Sequence, residues 1–127
     1  MVAVAAGVAA WLVGWFAIDW LVLQLYPLPP GLWGSASMRE IIASRPNAAV
    51  ALNLFGESLV LVGMAFMGSR WARPRTPRAG RWITGIVLLL AVANSLSTAN
   101  FRWVHGMFFP LFLVAGLVAA ERGARAA

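Results

Sequence analysis

Two carboxylic acids stand inside apolar stretches of this chain, and they are the residues best able to do chemistry. Asp19 follows Trp15 and Trp11 at i−4 and i−8, so a helix there carries an aromatic stripe that ends in a carboxylate. Glu57 lies in the middle of a second apolar stretch, with Asn53 one turn before it on the same face. An ionisable group at the centre of a bilayer costs roughly 2.5–3.5 kcal/mol on insertion scales, which makes each a candidate for function. Asn94, Ser95, Ser97 and Thr98 close a third stretch, and His105, the only histidine, opens a fourth. A cavity holding both acids would suit a proton relay, with Glu57 as the acid and Asp19 as the base or cation stabiliser. Asn53, Asn94, Thr98 and His105 would contact a ligand there, and Trp11, Trp15, Phe55 and Phe108 would wall it. Plainer roles stand beside these: Ser and Thr as interhelical glue, His105 at a wet interface, and Asp19 paired with Arg102 or His105.

The elements that must position these residues follow from composition. Of 127 residues, 61% are hydrophobic and 11% charged, against about 45–50% and about 25% in ordinary soluble domains. Four stretches, about 2–25, 48–67, 82–99 and 103–120, are apolar enough to cross a bilayer. A cleaved signal peptide does not fit the first, which lacks a basic start and is interrupted by Trp11, Trp15, Asp19 and Trp20. Pro27, Pro29, Pro30 and Gly31 end that span. Ser35 or Ser37 then caps a short helix through Ser44, with Met38, Ile41 and Ile42 on one face. This helix is expected to lie at the membrane surface or to fold down as a lid. The fold class expected is all-α, a single-domain integral membrane four-helix bundle with a short interfacial helix in the 27–47 segment.

The arginines orient the bundle. Arg70, Arg73, Arg75, Arg78 and Arg81 fall in the 68–81 loop and Arg122 and Arg125 in the tail, against Arg39, Arg45 and Arg102 on the other side. That bias places both termini in the cytoplasm, with Pro74 and Pro77 keeping the basic loop extended. Every intramembrane polar residue then falls in the outer half of the bilayer, which points to one shared polar cavity. The formal charge of +6 is too localised for nucleic acid, so the bilayer is the expected partner of the basic loop. An Arg-only basic set and abundant Ala fit a bacterial plasma membrane. Small residues predict packing seams at Ala6, Ala10 and Gly14, and at Ala115/Ala119 and Gly116/Ala120. Pro110 should kink the fourth span, and Trp33, Trp71, Trp82 and Trp103 should anchor span ends.

No HExxH, His cluster, Gly-rich phosphate loop or cysteine is present, so no metal or cofactor is expected. Asn53-Leu-Phe-Gly56 is similar to a stretch of fluoride channels, but the first-span arginine and the Phe-Thr-rich third-span break are missing. Small multidrug transporters share the size and an embedded Glu, which they carry in the first span. More of the chain resembles the emopamil-binding and sterol-isomerase-like (EXPERA) family of four-helix membrane proteins. The resemblance rests on Phe16-Ala-Ile-Asp19 before a Pro-rich loop, and on Glu40 with Leu54-Phe55-Gly56-Glu57. It rests also on Trp82-Ile83 opening a span with a Ser/Thr-rich end, and on Pro110. The long charged tail of many members and their third-span histidine are not found. The resemblance implies that Asp19 and Glu57 match paired pocket acids that contact a basic or carbocation-like lipophilic ligand.

Three functions are therefore expected in turn. The first is a pocket for a lipophilic small molecule, with isomerase-type proton relay if it is an enzyme. The second is an accessory subunit packed on other membrane subunits. The third is a proton-coupled exporter that works as a homodimer through Glu57.

Overall fold

Long runs of Ala, Leu and Val have no competing polar contacts to offer the backbone, so each closes its own hydrogen bonds as a helix, as hydrocarbon requires. In the computed structural model, which describes residues 1–28, 38–97 and 101–126, the described residues form five helices. They are α1 (Val2–Leu25), α2 (Met38–Ala43), α3 (Asn47–Trp71), α4 (Pro77–Ser97) and α5 (Trp103–Arg125). The four long ones have 21 to 25 residues, or about 32–38 Å at 1.5 Å per residue, enough for the hydrocarbon core. All four pass as candidate membrane spans by length and apolarity. Their outward faces agree: Val13 is 70% exposed, Phe16 69%, Leu89 69% and Val114 60%. Such faces are at home in lipid and would be a liability in water. The chain is a multi-pass, all-α membrane bundle.

The helices outrun the apolar stretches at the end that carries the termini. Pro77 does not extend the basic loop but opens α4, a position where its fixed φ is already helical and its missing N–H costs nothing. Thr76 Oγ1 accepts the Arg78 N–H at 3.3 Å, capping that turn. Ion pairs hold the extensions together, Arg81 with Glu121 across α4 and α5 and Arg125 with Glu121 at 3.7 Å within α5. The loop between α3 and α4 is thereby shortened to 72–76.

α3 packs on α1, α4 and α5, and α4 packs on α1 and α5, whereas α1 and α5 make no close approach among the described residues. Trp11, Leu61, Ile83, Val87 and Phe112 fill the centre, each 0–1% exposed. Close approach depends on small residues. A Cβ on Gly116 would strike the Thr84 side chain, and one on Gly123 would strike the Phe66 backbone. Of the seam expected at Ala6, Ala10 and Gly14, only Gly14 packs closely, on Val60, and it is joined by Gly7 on Ile83, whereas Ala6 and Ala10 face outward. Gly116 and Ala120 are buried as expected. α5 continues through Pro110 as one helix. Trp71, Trp82 and Trp103 are exposed near helix ends, while Trp33 lies outside the described residues.

Candidate functional site

Because α1 and α5 do not meet, space remains between them, and toward the end opposite the termini it becomes a cavity of about 400 Å³. All five helices contribute to its wall: Trp11, Trp15 and Asp19 from α1, Asn53 and Glu57 from α3, Asn94 and Ser95 from α4, and His105 and Phe109 from α5. Ile41 and Ile42 of α2 cover it, with Arg45 just beyond. α2 makes no close backbone packing with any long helix among the described residues. What holds it is Arg102, whose guanidinium donates to the carbonyls of Ile42 at 3.0 Å, Ala43 at 3.4 Å and Arg45 at 2.6 Å, and to Asn47 Oδ1 at 3.1 Å. Carbonyls at the end of a helix have capacity left over, and here a distant cation takes it up, although that of Ile42 also accepts the Arg45 N–H at 3.2 Å.

Glu57 is 4% exposed. Its Oε1 accepts from Asn53 Nδ2 at 3.1 Å, the one-turn contact that the spacing implies. Trp11, 1% exposed, donates from Nε1 to the Glu57 backbone carbonyl at 3.3 Å and stacks on Trp15 with ring centroids 5.8 Å apart. The aromatic stripe thus braces α1 against the turn that carries the acid. His105 packs between Phe101 and Phe109. Its Nδ1 accepts the Arg102 N–H at 3.0 Å, closing a capping box at the start of α5 and placing the neutral ring's hydrogen on Nε2.

Asp19 forms an ion pair with Arg45, Nη1 to Oδ1 at 2.8 Å, and not with Arg102 or His105. The Arg45 side chain is only 12% exposed, and its Nε and Nη2 are buried with no hydrogen-bond partner. Asn53 Oδ1 is in the same condition. Buried polar groups are nearly always satisfied, so these three atoms need partners that the described residues do not supply.

Of the residues singled out from sequence, Asp19, Glu57, Trp11, Trp15, Asn53, Asn94 and His105 share this cavity. Phe55 does not: it is 52% exposed on the outer face of α3, 100° around the helix from the buried Leu54 that lines the wall. Phe108 is likewise off the wall, packed beside the core, and Phe109 takes its place. Thr98 lies outside the described residues. Ser95 donates to the Ala91 carbonyl at 2.9 Å and Ser97 to the Asn94 carbonyl at 3.1 Å, bonds within their own helix. Sequence reasoning counts Arg45 only as a topology charge and offers Arg102 as a partner of Asp19, whereas the structure pairs Asp19 with Arg45 and sends Arg102 to the end of α2. Compared with protein-family models, with curated proteins and with solved structures, the chain matches none.

Proposed function

We propose that this protein binds a lipophilic small molecule in the cavity beneath α2. The observation that carries the reading is a space of about 400 Å³ in which apolar walls surround a few convergent polar groups, as in small-molecule sites generally. The orphaned atoms of Arg45 and Asn53 support it, since a ligand would satisfy them. The ligand enters from the membrane or from beneath α2 and lies along Trp11, Trp15 and Phe109. Its polar end meets Asn53, Glu57 and Arg45. The arginine bias supports a bacterial plasma membrane location with both termini in the cytoplasm. Two of the three arginines on the far side are engaged there, Arg45 with Asp19 and Arg102 with the end of α2.

The test uses the purified protein in a non-ionic detergent and brominated dodecanol as a quencher of tryptophan fluorescence. Saturable quenching is expected, and Ala91→Phe, which fills the cavity, should abolish it. Quenching that never saturates, or that survives Ala91→Phe unchanged, would refute the pocket. Native mass in the same preparation separates it from the accessory-subunit reading, which requires other membrane subunits to co-purify, and from a dimeric exporter.

A second reading is favoured by the two carboxyls in one cavity, and by the resemblance to EXPERA proteins. In an isomerisation, Glu57 gives a proton to one alkene carbon, which leaves the other cationic, and a base removes a proton from the saturated carbon beyond it, so the double bond moves by one position. Asp19 could serve as that base through Oδ2, its Oδ1 being held by Arg45. Exchange of solvent deuterium into an unsaturated ligand, lost in Glu57→Gln, is the expected signature.

A further inference from the structure

The cavity also carries information on the charge of its ligand. Arg45 bonds Asp19 through Nη1 alone. The two atoms left without a partner, Nε and Nη2, form one edge of the guanidinium. Their N–H bonds run parallel, at a spacing that matches two oxygens on one carbon or phosphorus. A hydroxyl would satisfy one of the two donors, and an ammonium neither. Asn53 Oδ1 needs the opposite, a donor. Asn53 Nδ2 is already given to Glu57, so the amide cannot turn round without breaking that bond. Around these groups the cavity is apolar, with Trp15, Leu54, Ile41 and Phe109 on its wall.

We propose that the ligand of this cavity is a single-chain amphiphile whose oxyanionic head, a carboxylate or phosphate, is received by the Nε/Nη2 edge of Arg45, which is closed off in this structure and is uncovered by a shift of the Arg45 side chain. This rests on the pocket reading and narrows it. It also departs from the basic ligand that the EXPERA resemblance implies, because Asp19, the more exposed of the two acids, is already neutralised by Arg45, and Glu57 is buried with Asn53 on its Oε1. A cavity of about 400 Å³ lies near the lower end of the range for ligand sites, about 300–1,000 Å³, which favours one chain over two. The donor that Asn53 Oδ1 lacks is supplied by a hydroxyl on the head, or by a water that bridges from it.

The experiment compares four probes with one tail, laurate, dodecyl phosphate, dodecanol and dodecylamine, binding to the full chain in non-ionic detergent and read by displacement of brominated dodecanol. Laurate and dodecyl phosphate are expected to bind about tenfold more tightly than dodecanol, the worth of a charge-assisted hydrogen bond, and a difference between these two names the head. Arg45→Lys keeps a cation beside Asp19 but lacks the parallel edge, and should bring laurate down to the level of dodecanol. Dodecylamine or dodecanol binding the wild type as tightly as laurate overturns the inference and leaves the pocket standing. A laurate preference that survives Arg45→Lys overturns it too. If none of the four probes binds, the pocket itself falls. The wild-type series decides the matter even where Arg45→Lys does not fold.

Discussion

Alanine in place of glycine at two positions of this bundle should have opposite effects, although the chemical change is the same. At Gly85, on the exposed face of α4, an added Cβ meets nothing within 4 Å. There the only change is a better helix former, which contributes about 0.5–1 kcal/mol. At Gly116, in the middle of α5, the same methyl meets Thr84 Cγ2 and Cβ at 2.5 and 3.0 Å as well as its hydroxyl. Thr84 is fully buried, and its Oγ1 donates to the Gly80 carbonyl at 2.8 Å, so it cannot rotate away freely. Overpacking of this kind costs about 1–3 kcal/mol and the lost hydrogen bond about 1 kcal/mol, against which helix propensity returns about 1 kcal/mol. Gly116→Ala is therefore expected to destabilise by about 1–3 kcal/mol while Gly85→Ala stabilises slightly. Denaturant unfolding in detergent, followed by helical circular dichroism, measures both. Adding Thr84→Ala to Gly116→Ala moves the methyl across the interface and should recover most of the loss. Equal effects at the two glycines, or no recovery in the double variant, would refute the packing of α4 on α5 described above. That packing sets the spacing of Asn94 and Ser95 from His105 across the cavity.

Further outcomes follow from the site. Arg102→Leu removes the guanidinium that ends α2, and a cysteine placed at Leu54 in this otherwise cysteine-free chain should then react with a maleimide about tenfold faster, the equivalent of one net hydrogen bond. An unchanged rate would mean that Arg102 does not hold the cover. A double-mutant cycle of Asp19→Asn with Arg45→Gln should give a coupling of about 1–2 kcal/mol, between exposed and buried pairs, because one side chain is 38% exposed and the other 12%. A coupling indistinguishable from zero would remove the ion pair from the description. Phe109→Ala should destabilise by about 3–5 kcal/mol and Phe55→Ala by far less, since the first is 7% exposed and the second 52%; the reverse order in the same unfolding assay would rotate α3 or α5.

Four apolar runs of membrane-spanning length were enough to read the bundle, because in hydrocarbon a run of that kind has helix as its only outlet. Hydropathy located the ends less well. It falls at Arg70 and Arg78, yet those turns stay helical where Thr76 caps α4 and Glu121 meets Arg81 and Arg125. Asn53 and Glu57 could be paired from spacing alone, since the contact lies within one helix. Phe55 and Phe108 were misplaced because helices apolar all round give no phase, and one residue is 100° of rotation. Arg45 joins Asp19 from 26 residues away and Arg102 reaches Ile42 from 60. Nothing in local spacing encodes such bonds, so they emerge only when the chain is folded.

Packing differs between the two ends of α4 and α5. Gly68, Gly80, Gly116 and Gly123 lie toward the end with the termini, and their missing side chains let α3, α4 and α5 come into contact around Ile83 and Ser69. Gly80 even donates its N–H to Ser69 Oγ at 3.1 Å, a bond that needs the backbones close. Toward the other end Trp11, Trp15, Phe109 and His105 line the cavity, while Gly56 still lets α3 pack against Ile18 of α1. Polar side chains can occupy the cavity without being pressed into hydrocarbon, which is why Asp19, Asn53, Glu57 and Asn94 all collect there. Charge is handled differently at the two ends as well. Near the termini Arg81 and Arg125 share Glu121 at the surface. Under α2, Arg45 is buried with one partner for three donor atoms. A bundle gains nothing in stability from leaving such a cation half satisfied, so replacing Arg45 and Asp19 together should cost less than the sum of the two single replacements.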